Sequence, residues 1–425
     1  MNGSKGPTRF AASFLIMKQL LLFAAALVAS QAIATDRIVE EFGVPPTYPN
    51  VNAAVTAAVD GDRIIIKNRA GDIPWIENIT IDKSLEFLSY ADNGFFVVQG
   101  NYTVQAATGR QVTIIGMRNT AGNITGTSSG TLRGTSVRVM DCQLVSGFVS
   151  FSNDAYDTDV VGCSLQAGYV RINFGNVVGN DILNNQSAEG VRVTPSTTAF
   201  QNDTCHIIGN KVQSVVGYEG VFVSSTAQVV HVRNNFIRHG WMGIEVYGGN
   251  TSGVQNLIWN NSVQGYTGSS TIYGISLANT SSGSVWEVMN NSIGSTWSGT
   301  NRGINNNSGN NGQINVYFNH VQSGFNIAIS TGFTFEGSNT TNQPVTFNTD
   351  GTFLNAPSAI NGGNPAAPFY DLDLSVGDAG AYGGSYTLNN FFPLHAGAAR
   401  VYMTGHPFNV RQGSTLRVKA TAFDR

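Results

Sequence analysis

Two short patterns of aliphatic and polar residues alternate along the chain. The first is an aliphatic residue, two spacers, Asn, one spacer and a second aliphatic. It occurs as Val177…Asn180…Ile182, Ile207…Asn210…Val212, Val232…Asn235…Ile237, Ile258…Asn261…Val263, Val288…Asn291…Ile293 and Val316…Asn319…Val321. Val139…Cys142…Leu144 and Val160…Cys163…Leu165 fit with Cys in the Asn slot. From Cys142 to Asn319 seven intervals fill 177 residues, about 25 per repeat, and single intervals run from 17 to 30. The second pattern follows downstream as Gly and then aliphatic, any residue, aliphatic: Gly190-Val191-Arg192-Val193, Gly220-Val221-Phe222-Val223, Gly243-Ile244-Glu245-Val246 and Gly274-Ile275-Ser276-Leu277. Alternation of period two over so few residues predicts short, half-buried strands.

Several short strands per repeat, with one small polar residue at a fixed place beside aliphatics, predict that each repeat is one coil of an all-β solenoid. Stacked coils lie about 4.8 Å apart, so residues in one slot form a ladder along the axis. Asn side chains stacked at a tight bend can hydrogen-bond from rung to rung. Cys142 and Cys163 then take neighbouring rungs of that interior ladder. Such rungs fall within disulfide reach, about 4.4–6.8 Å between Cα atoms, but two buried thiols that fill the ladder suffice to explain them.

Before the repeats, Val51, Ala54, Val55 and Ala58 recur at helical spacing, so Asn50 to Val59 reads as a short amphipathic helix closed by Asp60-Gly61. The strand Ile64-Ile65-Ile66 and the segment ENITIDKSLEFLS (Glu77 to Ser89) follow. With these features the chain, from about Tyr48 to Tyr382, resembles the right-handed parallel β-helix proteins of the pectate-lyase-like superfamily. The resemblance implies that the helix caps the open end of the solenoid, which otherwise presents bare strand edges. SAINGG (Ser358 to Gly363) and DLDLSVGDAGAYGG (Asp371 to Gly384) look like the closing segment of secreted bacterial β-helices. The expected layout is a leader over 1–34, the capped β-helix over 35–385, and a small β appendage over 386–425.

Composition narrows the partners. Lys and Arg number 23 against 26 Asp and Glu, charged residues make up 12%, and Gly (49) and Asn (44) dominate. With 41% apolar residues the chain can bury a core, and without a Lys/Arg run it lacks the electrostatic footprint of a nucleic-acid or anionic-membrane binder. From Met17, which reads as the true start, MKQLLLFAAALVASQAIA has one Lys, an apolar stretch and an Ala-Ile-Ala cleavage site, the pattern of a secretory signal. The apolar stretch Leu20 to Ala29 falls short of the roughly 20 residues a membrane span needs. A secreted, periplasmic or cell-surface protein that is not transmembrane is expected. Three cysteines without CxxC spacing argue against a metal knuckle.

In a solenoid with an aliphatic interior, chemistry belongs on outward positions. The residue between the aliphatics of the Gly pattern gives one exterior row: Arg171, Arg192, Phe222, Glu245, Ser276 and Asn305, flanked by Tyr169, Tyr218, Trp241, Tyr247 and Tyr273. Guanidinium forks bind carboxylates and aromatic rings stack on sugars, so this row suits an extended polysaccharide, with or without uronates. Glu189 and Glu219 precede the Gly of adjacent coils; stacked, they would stand about 5 Å apart, the separation of a retaining glycosidase pair. His206 and His231 share a slot and, with Arg233 and Arg238, could supply a base for β-elimination. Arg238-His239-Gly240 only faintly resembles the Gly-His-Gly of polygalacturonases, because the first Gly and the paired Asp are missing. Asp371, Asp373, Ser375 and Asp378 are spaced like oxygen ligands of a Ca²⁺ loop, the one candidate cofactor, but lack its Gly and its twelfth-position acid. The expected function is a non-catalytic protein that binds polysaccharide or serves as a surface scaffold; the alternative is a polysaccharide lyase or other carbohydrate-active enzyme.

Overall fold

The computed structural model describes residues 34–92, 94–127, 133–196, 204–214, 217–266, 271–306, 309, 311–329, 333–395, 400–405 and 419–423. The expected leader lies outside them, save Ala34.

The chain winds into an all-β parallel solenoid of about 11 turns. Three parallel sheets of 13, 12 and 11 strands run its length, and each strand pairs with the corresponding strand of the coils before and after it. Inward aliphatics from all three sheets form one core from Val39 to Val321 that includes Cys142, Cys163 and Cys205. The cysteines are free, so Cys142 and Cys163 are stacked thiols and not a disulfide; the Cys142 N–H donates to Cys163 Sγ at 3.4 Å.

The bend between the 13-stranded and 12-stranded sheets sets the repeat. Asn210, Asn235, Asn261, Asn291, Asn319 and Asn339 each accept, on Oδ1, both the backbone N–H and the Nδ2–H of the Asn one coil before, the first donor being Asn180, at 2.9–3.1 Å. The Nδ2 of each also donates back to a carbonyl of the preceding coil, as Asn235 does to Ile207 at 2.8 Å. The side-chain amides of the inner ladder Asn are thereby fully used, which is what a buried polar ladder requires. The residue before the ladder position is left-handed in coil after coil, with φ of 67° at Gly209, 51° at Asn234, 52° at Asn260 and 57° at Asn290. Gly and Asn tolerate that conformation best, so Gly-Asn and Asn-Asn pairs recur. Cys163 joins the ladder by donating its N–H to Asn180 Oδ1 at 2.8 Å.

The helix spans Val51–Ala57. Asn50 Oδ1 accepts from the Ala53 N–H at 2.8 Å, and the Glu77 carboxylate accepts from the Val51 and Asn52 N–H groups at 2.9 Å each. Its first free amides are thus satisfied, and Val51, Ala54 and Val55 are buried.

The last coil strand is Thr340–Gln343, well before the boundary at 385 read from the sequence. Beyond it the chain returns along the outside of the Asn bend. Ala359, Ala379, Ala381 and Leu388 pack with Phe236, and the Ser292 hydroxyl donates to the Ala379 carbonyl at 2.6 Å. Asn234 Nδ2 donates to the Gly383 carbonyl at 2.7 Å. Tyr402, in the antiparallel pair Arg400–Gly405 and Lys419–Phe423, packs with Phe391 against Val161, Val178 and Ile208.

Candidate functional site

Strand register puts Arg171, Arg192, Phe222, Glu245, Ser276 and Asn305 on successive rungs of the 11-stranded sheet. Five steps of about 4.8 Å make this row about 24 Å long. Met242, Tyr273 and Arg302 form a second row beside it.

At one end Phe148 stacks on Tyr169 with centroids 4.6 Å apart and planes 8° apart, and the Arg171 guanidinium lies 4.6 Å from the Tyr169 centroid. Glu189 accepts from Arg171 at 2.9 Å with one carboxylate oxygen and from Arg192 at 3.0 Å with the other. Arg192 in turn lies 5.4 Å from the Phe222 centroid, and Phe222 meets Tyr247 at 5.7 Å. Two ring pairs, Phe148–Tyr169 and Phe222–Tyr247, thus flank two arginines, each held to its neighbouring ring by a cation–π contact and to the other arginine through Glu189.

Glu189 therefore bridges two arginines and does not pair with Glu219. Glu219 is hydrogen-bonded to Glu245 one coil on, and both are buried. Burial, and then the neighbouring Glu219 carboxyl, push the Glu245 pKa up to about 8, against a smaller opposing effect from its hydrogen bond to Tyr247. Glu245 consequently keeps its proton at neutral pH and donates to Glu219. Over these rungs both guanidiniums are engaged by one carboxylate, that of Glu189. Next along it Ser276 is fully buried, with its hydroxyl unpartnered. Tyr218 is half-buried, and Trp241 is the most exposed aromatic of the group at 36%.

The other candidates lie elsewhere. His206 and His231 stand on adjacent rungs of the 13-stranded sheet, edge to face, with ring centroids 5.1 Å apart. Burial, followed by His206 and Arg233, pushes the His231 pKa well below the ordinary value. Neither ring shares a face with the arginine row, so the base expected of them does not meet a chain lying there. Arg233 is buried under the C-terminal segment, its guanidinium 4.4 Å from the Tyr386 centroid and 5.5 Å from that of Trp259. Arg238 sits on the 12-stranded sheet, donating to Gln213 at 2.9 Å. His239 is buried, and desolvation lowers its pKa to about 3.

The acidic loop spends its oxygens on its own backbone. Asp371 accepts from the Asp378 N–H (3.1 Å) and from the Gly384 N–H, Asp373 from Ser375 N–H (3.0 Å) and Oγ (2.6 Å), and Asp378 from the Asn361 N–H (2.8 Å). Among the described residues no group of three or more His, Cys, Asp or Glu is gathered as a metal would need, and no helix is long and apolar enough to cross a membrane.

Sequence reasoning missed Phe148 and Arg302, because neither occupies the repeating slot from which the row was read. Compared with known protein families, curated proteins and solved structures, the chain matches none.

Proposed function

We propose that the chain is an exported, non-catalytic protein whose 11-stranded face binds an extended neutral polysaccharide. In this reading the solenoid is right-handed and of the pectate-lyase-like kind, with Val51–Ala57 as the cap of its first coil. The observation that carries the binding proposal is the contact chain Phe148–Tyr169–Arg171–Glu189–Arg192–Phe222–Tyr247, which runs across successive rungs of the 11-stranded sheet with both guanidiniums tied to Glu189. Rings and guanidinium planes strung along that line suit sugar rings that succeed one another along a glycan.

The same geometry favours a neutral polymer over a uronate. Both guanidiniums already hold Glu189, and a bound carboxylate would have to displace it. It also favours binding over elimination, since the paired histidines stand on another sheet. The test is to incubate the protein with neutral and uronate polysaccharides, with and without Ca²⁺, while following retention and the release of reducing or unsaturated ends. Retention on a neutral polymer without new ends is expected; new unsaturated ends on a uronate polymer would overturn the reading.

A further inference from the structure

A groove runs between the outer face of the 12-stranded sheet and the returning C-terminal segment. It has two lobes, of about 420 and 480 Å³, that share Ser164, Asp181 and Lys211. This is the size range of small-ligand sites. Ser164, Asp181 and Lys211 form its floor on successive rungs, and Gln213 and Arg238 lie on neighbouring rungs one row over.

The far wall is fixed by contacts of its own. The Lys211 ammonium lies 4.3 Å from the Phe392 centroid, the Tyr382 hydroxyl donates to the Asp350 carbonyl at 3.0 Å, and His395 Nδ1 meets Asp141 Oδ1 at 2.6 Å. The groove is therefore pre-formed, which lowers the cost of ordering it on binding.

Its chemistry selects a class of ligand. Lys211 lies between two acids, Asp181 on the next rung and Asp350 on the wall, and it bears electrostatically on both. Arg238 is turned onto Gln213. A polyanion entering here meets two carboxylates, and a polycation meets Lys211 and Arg238. Beside this polar floor lie the apolar side chains of Leu165, Ile182, Val212 and Phe236 in one lobe and of Leu388, Phe392 and Leu394 in the other, so the groove suits a ligand that carries both hydroxyls and apolar faces. Asp181 remains open to solvent although the surrounding protein raises its pKa by desolvation. Carboxylate, carboxamide, ammonium and guanidinium groups set side by side are the partners of vicinal hydroxyls.

We propose that this groove binds a short neutral oligosaccharide, with Asp181, Lys211, Gln213 and Arg238 as its hydrogen-bonding floor. It lies on a different sheet from the arginine row and does not depend on that row's being a glycan site.

The test is isothermal titration of the full chain with cellohexaose, xylohexaose, maltohexaose and laminarihexaose, with hexagalacturonate as the charged control. The expected result is binding of at least one neutral hexaose that persists in a Phe222→Ala background, where the arginine row's share is removed, and is there weakened at least tenfold by Asp181→Ala and by Lys211→Ala. Asp181 is exposed, so Asp181→Ala should fold, and a melting curve checks this. Binding lost in Phe222→Ala but kept in Asp181→Ala would assign the hexaose to the other face and overturn the proposal. So would binding of hexagalacturonate alone, or of none of the hexaoses, even where polymer retention by the arginine row persists.

Discussion

Glu245 hydrogen-bonds Glu219 across adjacent coils, and both side chains are buried. Two carboxyl groups so placed cannot both ionise cheaply, so the Glu245 proton is part of the folded structure. Its folded pKa of about 8 stands above the ordinary 4.5. The folded chain then binds this proton more tightly than the unfolded chain. Its stabilising contribution is complete below about pH 4.5 and is lost as pH rises through about 8. Glu245→Gln, which keeps a donor to Glu219, should flatten that decline and raise Tm at alkaline pH by about 2 °C, with little change in acid. Thermal melts of both proteins across the pH range check it.

The Asn ladder should be costly to interrupt at its centre. Asn235 accepts twice from Asn210 and donates to Ile207 and Asn261, all at 2.8–2.9 Å and all buried. Asn235→Ala leaves several buried groups unpaired and should cost about 3 kcal/mol or more. Asn339, at the half-buried end of the ladder, should cost less. Denaturant titrations of the two variants give the comparison.

Glu189→Ala removes the one carboxylate shared by Arg171 and Arg192. These partly exposed ion pairs contribute little to stability, about 1 kcal/mol or less, so the variant should fold. It should also gain what the native chain lacks, a salt-sensitive affinity for polygalacturonate, because two forks become free. Retention on that polymer at low and high ionic strength measures the gain.

The thiols of Cys142, Cys163 and Cys205 are fully buried, and desolvation pushes those of Cys163 and Cys205 above the ordinary value. A thiol reagent should find none of the three in the native chain and all three after unfolding. Detection of only one after unfolding would mean a disulfide.

The repeat was readable because its grammar is local. A left-handed bend residue followed by Asn, and Gly followed by alternating aliphatics, recur within each coil and order the row from Arg171 to Asn305. Asn339 escaped because Glu336 takes the place of the aliphatic that Val316 supplies in the coil before it. The partner of Glu189 was misjudged for another reason. Its slot predicts a neighbour in Glu219, while the side chain reaches three residues along its strand to Arg192 and back one coil to Arg171. The closing segment was marked by SAINGG and DLDLSVGDAGAYGG, but its return along the outside of the Asn bend left no trace in the repeat. Asn234 meets Gly383 and Ser292 meets Ala379 across 149 and 87 residues, contacts that no pattern within a repeat can encode. The groove was hidden with them, since one of its walls is that segment.

The most direct test of the central claim is affinity electrophoresis of the native chain and Phe222→Ala through gels that contain either neutral polysaccharides or polygalacturonate, at low and high salt. Phe222 lies at the centre of the row, between Arg192 and Tyr247. The predicted result is retardation of the native chain by a neutral polymer, insensitive to salt and at least tenfold weaker in the variant. Equal migration of the two proteins in every neutral gel, or retardation by polygalacturonate alone that salt abolishes, would contradict it.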